Sequence, residues 1–75
     1  MMEHELDTKG LVCPLPVLKA RKALKALAAG DRLRVEATDP SSVADFAVFC
    51  ETMGHALVES AEDGGVFVFV IEKGA

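Results

Sequence analysis

The run VFVFVI, Val66 to Ile71, limits the fold more than any other part of this chain. Six consecutive apolar residues rich in Val and Phe read as a strand with no polar face, and such a strand belongs inside a sheet with neighbours on both edges. An exposed apolar edge of that length would template aggregation. The rest of the chain must therefore supply flanking strands and a covering layer.

It does so in short punctuated segments. Immediately before the run, HALVESA and VFVFVIEK are separated by EDGG, whose glycines permit the positive φ angles of a tight hairpin turn. Upstream, DRLRVEATDP alternates Leu33, Val35 and Ala37 with Arg32, Arg34 and Glu36, a strand with one buried face. HELDT, His4 to Thr8, is a first strand of weak propensity bounded by Gly10.

Two helices fill the gaps. PVLKARKALKALAAG places Val17, Ala20, Leu24, Leu27 and Ala28 at helical spacing and closes on Gly30 as a C-terminal cap. In the second, Asp39 is the expected N-cap and Pro40 the first helical residue. SSVADFAVFCETM then carries a stripe of Val43, Phe46, Ala47, Cys50 and Met53 up to Gly54.

The order βαβαββ makes the first two strands parallel neighbours through a right-handed crossover. The expected fold is an α/β two-layer sandwich: a mixed four-stranded sheet with two helices on one face, in a single domain over residues 1–75. The face without helices would show Phe67, Phe69 and Ile71, or their alternates. That predicts an apolar surface for self-association or a partner.

Composition excludes several functions. No run approaches the roughly 20 apolar residues of a membrane span, and MMEHELDTKG lacks the basic and apolar regions of a signal peptide. The expectation is a cytoplasmic protein without membrane contact. The net charge is −4, and Trp and Tyr are absent, which argues against direct nucleic-acid binding. The charge is polarised, however: residues 1–34 hold seven Lys and Arg against four acids, and residues 35–75 hold one Lys against eight acids.

The two cysteines lie 37 positions apart, without a Cys-x-x-Cys pair, so neither a stabilising disulfide nor a dithiol cycle is expected. Cys50 sits on the second helix's buried stripe. A structural zinc site from Cys13, Cys50, His4 and His55 lacks close ligand pairs, and a protease-like Cys/His pair lacks a cleft, so no metal and no cofactor are expected.

Cys13 stands differently, before Pro14, Leu15 and Pro16 at the junction of first strand and first helix. As the N-cap it would be held extended by Pro14, with the Leu15 N–H among the few donors available to its sulfur. The helix dipole and the nearby Lys9, Lys19 and Arg21 would favour the thiolate and lower its pKa. A lone nucleophilic thiolate without a base, a metal or a cleft suits holding a group covalently and handing it on.

At this point the chain resembles the TusA/SirA family of sulfur-carrier proteins over nearly its full length. The likeness rests on LDTKGLVCPLPVLKARKAL with its Cys13-Pro14-x-Pro16 motif, on ATDPSS and FCETMGHAL, and on the closing glycine hairpin with its apolar strand. The resemblance implies that Cys13 accepts sulfane sulfur as a persulfide from a cysteine desulfurase or rhodanese-type donor and passes it to an acceptor protein. It also implies a final strand between the second and third. Leu15 stands where several members acting in tRNA thiolation carry an acid, so tRNA thiolation, molybdenum-cofactor sulfuration and sulfur oxidation all stay open.

On that reading the basic helix face of Lys19, Arg21, Lys22 and Lys25 steers an acidic partner toward Cys13. The protein is then a sulfurtransferase-type carrier rather than a self-contained enzyme. The competing class is a small regulatory or RNA-binding module on the same sandwich, which also resembles the C-terminal domain of a translation initiation factor.

Overall fold

The computed structural model describes residues 2–75. Its elements are β1 (Glu3–Thr8), α1 (Leu15–Lys25), β2 (Arg32–Ala37), α2 (Ser42–Met53), β3 (Ala56–Asp63) and β4 (Val66–Glu72). The sheet order is β1-β2-β4-β3, with β1 parallel to β2 and β4 antiparallel to both of its neighbours. The apolar run thus lies inside the sheet, as its lack of a polar face requires. No helix among the described residues is long and apolar enough to cross a membrane.

The register builds the core. Leu33 pairs with Ile71, Val35 with Phe69 and Ala37 with Phe67, and these side chains share one face with Leu6 of β1. Against it α1 sets Ala20 and Leu24, and α2 sets Phe46, Phe49 and Cys50. Phe46 is fully buried, stacked on Phe69 at 4.6 Å between centroids and edge-on to Phe49 at 6.5 Å. β1, weak by propensity, is held by its parallel ladder with β2 and by the Thr8 hydroxyl, which donates to the Glu36 carbonyl at 2.6 Å.

On the open sheet face it is the alternates of the apolar run that turn outward. Phe69 and Ile71 are buried beneath the helices, and the outward alternates are Val66, Val68 and Val70. Around these the register sets Arg32, Arg34 and Glu36 on β2 and Glu3, Glu5 and Asp7 on β1. Arg32 pairs with Glu72 at 3.2 Å, Arg34 with Glu36 at 3.6 Å, and Lys9 bridges Asp7 and Glu36 at 3.0 and 3.3 Å. Val70, opposite Arg34 and Glu59, is only 8% exposed. Val66 and Val68 are partly exposed, so this face combines a valine row with flanking ion pairs.

Both helices also differ from expectation. α1 ends at Lys25 rather than running to Gly30. The Ala26 and Leu27 N–H groups tighten onto Ala23 and Leu24 carbonyls at 3.1 Å, Asp31 accepts from the Ala28 N–H at 3.1 Å, and Lys73 caps the Leu27 carbonyl at 2.6 Å. Gly30, at φ 91°, makes the later turn into β2, and Ala28 is exposed. α2 begins at Ser42 with Ser41 as N-cap, so Asp39 and Pro40 belong to the preceding turn. Its buried stripe is Ser42, Phe46, Phe49 and Cys50, while Val43, Ala47 and Met53 are exposed. Burying two phenyl rings outweighs burying Val43 and Met53, and the helix is rotated accordingly.

Candidate functional site

Cys13 is exposed in the loop between β1 and α1, whereas Cys50 is 3% exposed and its thiol is pushed up by burial. The two cysteines therefore differ in access, and only Cys13 can meet another protein. Among the described residues no three His, Cys, Asp or Glu side chains come together to hold a metal ion.

The local geometry around Cys13 corrects the sequence reading in three respects: the start of the helix, the anchor of the cysteine and its electrostatics. The Cys13-Pro14 peptide is cis, Pro14 rather than Cys13 occupies the N-cap, and α1 begins at Leu15 with Pro16 buried in its first turn. The Leu15 N–H donates to the Val12 carbonyl at 2.9 Å and is not available to the sulfur. The cysteine is instead anchored from across the sheet: the Asp39 carboxylate accepts from the Cys13 N–H at 2.6 Å. The same carboxylate accepts from the Ser41 N–H at 3.1 Å and the Ser41 hydroxyl at 2.9 Å, so it ties the Cys13 loop to the start of α2. These bonds hold the Asp39 carboxyl below the usual carboxylate range.

The third correction is electrostatic. The nearby Asp45 carboxylate, then partial desolvation, then the charge of Asp39 raise the Cys13 thiol above its ordinary value; the Ser41 hydroxyl acts weakly in the opposite sense. The expected lowering fails because Lys9, three residues before Val12, turns away to its ion pairs with Asp7 and Glu36. Two prolines also leave few N–H groups for a dipole to act through.

Cys13 opens onto a groove of about 440 Å³ between the two helices. Its walls are mostly apolar: Pro14, Val17 and Leu18 from α1 and its cap, and Val48, Phe49 and Met53 from α2. Leu18 is 50% exposed and Val48 63%, so unsatisfied apolar area lies here rather than on the sheet. Arg21 lines the same groove, whereas Lys19, Lys22 and Lys25 do not. All four are exposed and, among the described residues, make no ion pair. Sequence reading missed Asp45 and the groove; the available signal was α2 itself, which carries more apolar residues than one stripe can bury.

His55 is an acceptor rather than a catalytic base. Its Nδ1 receives the Gly74 N–H at 3.0 Å, its ring lies 5.6 Å from that of Phe49, and burial, then the charge of Lys73, lowers its pKa.

Comparison with known proteins finds relatives over nearly the whole chain. Residues 4–73 match the family described as Sulfurtransferase TusA. A sulfur carrier protein TusA of Allochromatium vinosum is 52% identical over 71 residues, covering 95% of this chain and 93% of that protein. A putative sulfur carrier protein of Neisseria meningitidis serogroup A is 46% identical over 72 residues, covering 96% and 97%. The crystal structure of a SirA-like protein from Desulfitobacterium hafniense superposes with a TM-score of 0.84 at 34% identity, covering 96% of this chain and 99% of that one.

Proposed function

Since the chain belongs to the TusA sulfurtransferase family, we propose that it is a sulfur carrier that takes up sulfane sulfur as a persulfide on Cys13 and delivers it to an acceptor protein. The observation that carries this reading is the contrast between the thiols: Cys13 stands exposed at the mouth of an apolar groove, and Cys50 is sealed in the core.

The chemistry needs no bound group. The Cys13 sulfur attacks the terminal sulfur of a donor persulfide, a new S–S bond forms as the donor's breaks, and the donor leaves as a thiol with the proton that Cys13 gives up. Delivery repeats the exchange, with an acceptor thiolate attacking the terminal sulfur on Cys13. The donor is a cysteine desulfurase or a rhodanese-type protein, and the setting is the cytoplasm. Pro14 and Pro16 fix the loop that presents the sulfur. The groove takes apolar side chains of the partner, while Lys19, Arg21, Lys22 and Lys25 draw acidic groups to its rim.

Intact mass after incubation with a cysteine desulfurase and cysteine, without reductant, tests this. Wild type and Cys50→Ser are expected to gain one sulfur, and Cys13→Ser none. RNA affinity that survives Cys13→Ser, with no sulfur loaded on any variant, would favour the regulatory or RNA-binding module instead.

A further inference from the structure

The groove beside Cys13 continues past its apolar walls. Arg21 and Met53 line it and also line a second cavity of about 190 Å³, completed by Leu24, Lys25, His55 and Lys73. The lining residues advance along both helices in the same sense, from Val17 to Lys25 on α1 and from Ala44 to Met53 on α2, so the two cavities lie end to end. Cys13 is at one end and a group of cations at the other. α1 runs from Leu15 to Lys25, and at about 1.5 Å of rise per residue the cationic end lies roughly 15 Å from the Cys13 loop.

The second cavity has three cations and no acid in its lining. Among the described residues none of Arg21, Lys25 and Lys73 makes an ion pair. Lys73 is half-buried and fixed in place: its N–H donates to the Asp31 carbonyl at 2.8 Å, its carbonyl accepts from the Gly30 N–H at 2.9 Å, and its ammonium donates to the Leu27 carbonyl at 2.6 Å. That last bond uses one of the ammonium's three donors and leaves its charge without an anion. His55 accepts the Gly74 N–H at Nδ1, so the neutral ring carries its hydrogen on Nε2 and adds a donor to the cavity wall. Lys19 and Lys22 line neither cavity.

We propose that the second cavity is a carboxylate subsite for the sulfur donor: the donor's persulfide-bearing segment lies along the groove, and an acidic side chain roughly four or five extended residues from its persulfide cysteine, at about 3.3 Å per residue, enters between Arg21, Lys25 and Lys73. This inference rests on Cys13 being the carrier residue. It goes beyond attraction of acids to the rim, because it fixes the spacing between the partner's sulfur and one acid. Apolar residues between them meet Leu18 and Val48, which are 50% and 63% exposed on the groove walls. Lys73, far from Cys13 in sequence, becomes a specificity-determining residue for the partner.

The test uses acetylated, amidated peptides in which a cysteine, activated as its thiopyridyl disulfide, is separated from a single Asp by increasing runs of Leu and Ala, in both chain directions. Cys13 Sγ attacks the peptide sulfur, the mixed disulfide forms, and pyridine-2-thione leaves with the thiol proton, so its absorbance gives the rate. At the matching spacing the Asp peptide should react about two to five times faster than its Asn counterpart at low salt, the worth of a partly exposed ionic contact. High salt should remove the advantage. Lys73→Gln and Lys25→Gln should each cut it, and Lys19→Gln, which removes the same charge outside the groove, should cut it less. If Lys73→Gln fails to fold for want of the bond to the Leu27 carbonyl, Lys25→Gln, at an exposed residue, still decides. No Asp advantage at any spacing, or one that Lys19→Gln reduces as far as Lys25→Gln does, would overturn the subsite.

The donor's part is read with a cysteine desulfurase. Lys25→Gln should raise the KM for the carrier with little change in kcat, and an unmoved KM would overturn the donor as occupant. Either failure leaves sulfur loading on Cys13 standing, whereas the carrier reading fails only if Cys13→Ser still accepts sulfur.

Discussion

Phe46 offers the sharpest test of how α2 sits on the sheet. It is fully buried, with Phe69 stacked at 4.6 Å and Phe49 edge-on at 6.5 Å. Replacement by Ala costs ~3–5 kcal/mol in a well-packed core, against a total stability of about 4–11 kcal/mol for a domain of 75 residues. That change risks unfolding the protein, so Phe46→Leu is the informative one. It retains most of the buried apolar area but loses two aromatic pairs at about 0.5–1.5 kcal/mol each, or about 1–3 kcal/mol together. With a urea m-value of about 1 kcal/mol/M, suited to a small domain, the midpoint followed by far-ultraviolet circular dichroism should fall by about 1–3 M with its slope unchanged. Val48→Ala, at a residue 63% exposed, should change stability by less than about 0.5 kcal/mol. A Phe46→Leu midpoint within error of wild type, or a Val48→Ala loss as large as that of Phe46→Leu, would refute the rotation of α2 described above.

Other perturbations address the site and the tail. Leu18→Asn and Val48→Asn, which remove apolar area without adding charge, should sharply slow sulfur loading by a protein donor while leaving stability and the iodoacetamide rate of Cys13 little changed, as a docking groove requires. Asp39 has a depressed carboxyl pKa, so its contribution to stability is present above the ordinary carboxylate value and is lost as pH falls through its lower folded value. Asp39→Asn should therefore destabilise the protein at neutral pH and have little effect once wild-type Asp39 is itself protonated, as read by urea midpoints at the two pH values. The His55 pKa is also depressed, by burial and then by Lys73, so the stability it supports is complete above about 6.5 and is lost as pH falls through the lower folded value. Protonation at Nδ1 removes the acceptor for the Gly74 N–H, and amide exchange at Gly74 should accelerate over the same window in which the His55 ring titrates by NMR.

What the sequence made legible was whatever periodicity and turn chemistry control. The alternation in Arg32 to Ala37, the two glycines after Asp63, and the two-sided apolar run from Val66 led to the element order and to a central β4, and the sheet order β1-β2-β4-β3 agrees. Helix ends and rotations were less legible because tertiary partners set them. Asp31 and Lys73 end α1 early, and neither is near its last turn in sequence terms that a capping rule would use. Phe49 entered the core edge-on to Phe46, which is itself stacked on Phe69, an aromatic arrangement that a stripe of equal apolar residues does not reveal. At the site, the prominence of Cys13 was readable from its prolines, but its electrostatics were not. Lys9 is four positions from Cys13 and pairs across the sheet, whereas Asp45 is 32 positions away and lines the same groove as the thiol.

The central claim is that sulfur resides on Cys13 in transit. Its most direct measurement is the location of the added sulfur after loading by a cysteine desulfurase, alkylation and proteolysis, by mass spectrometry of the peptides holding Cys13 and Cys50. The account predicts one extra sulfur on the Cys13 peptide only, which disappears when an acceptor thiol is added. Extra sulfur on the Cys50 peptide, or a Cys13 peptide that stays unloaded while the protein still delivers sulfur, would contradict it.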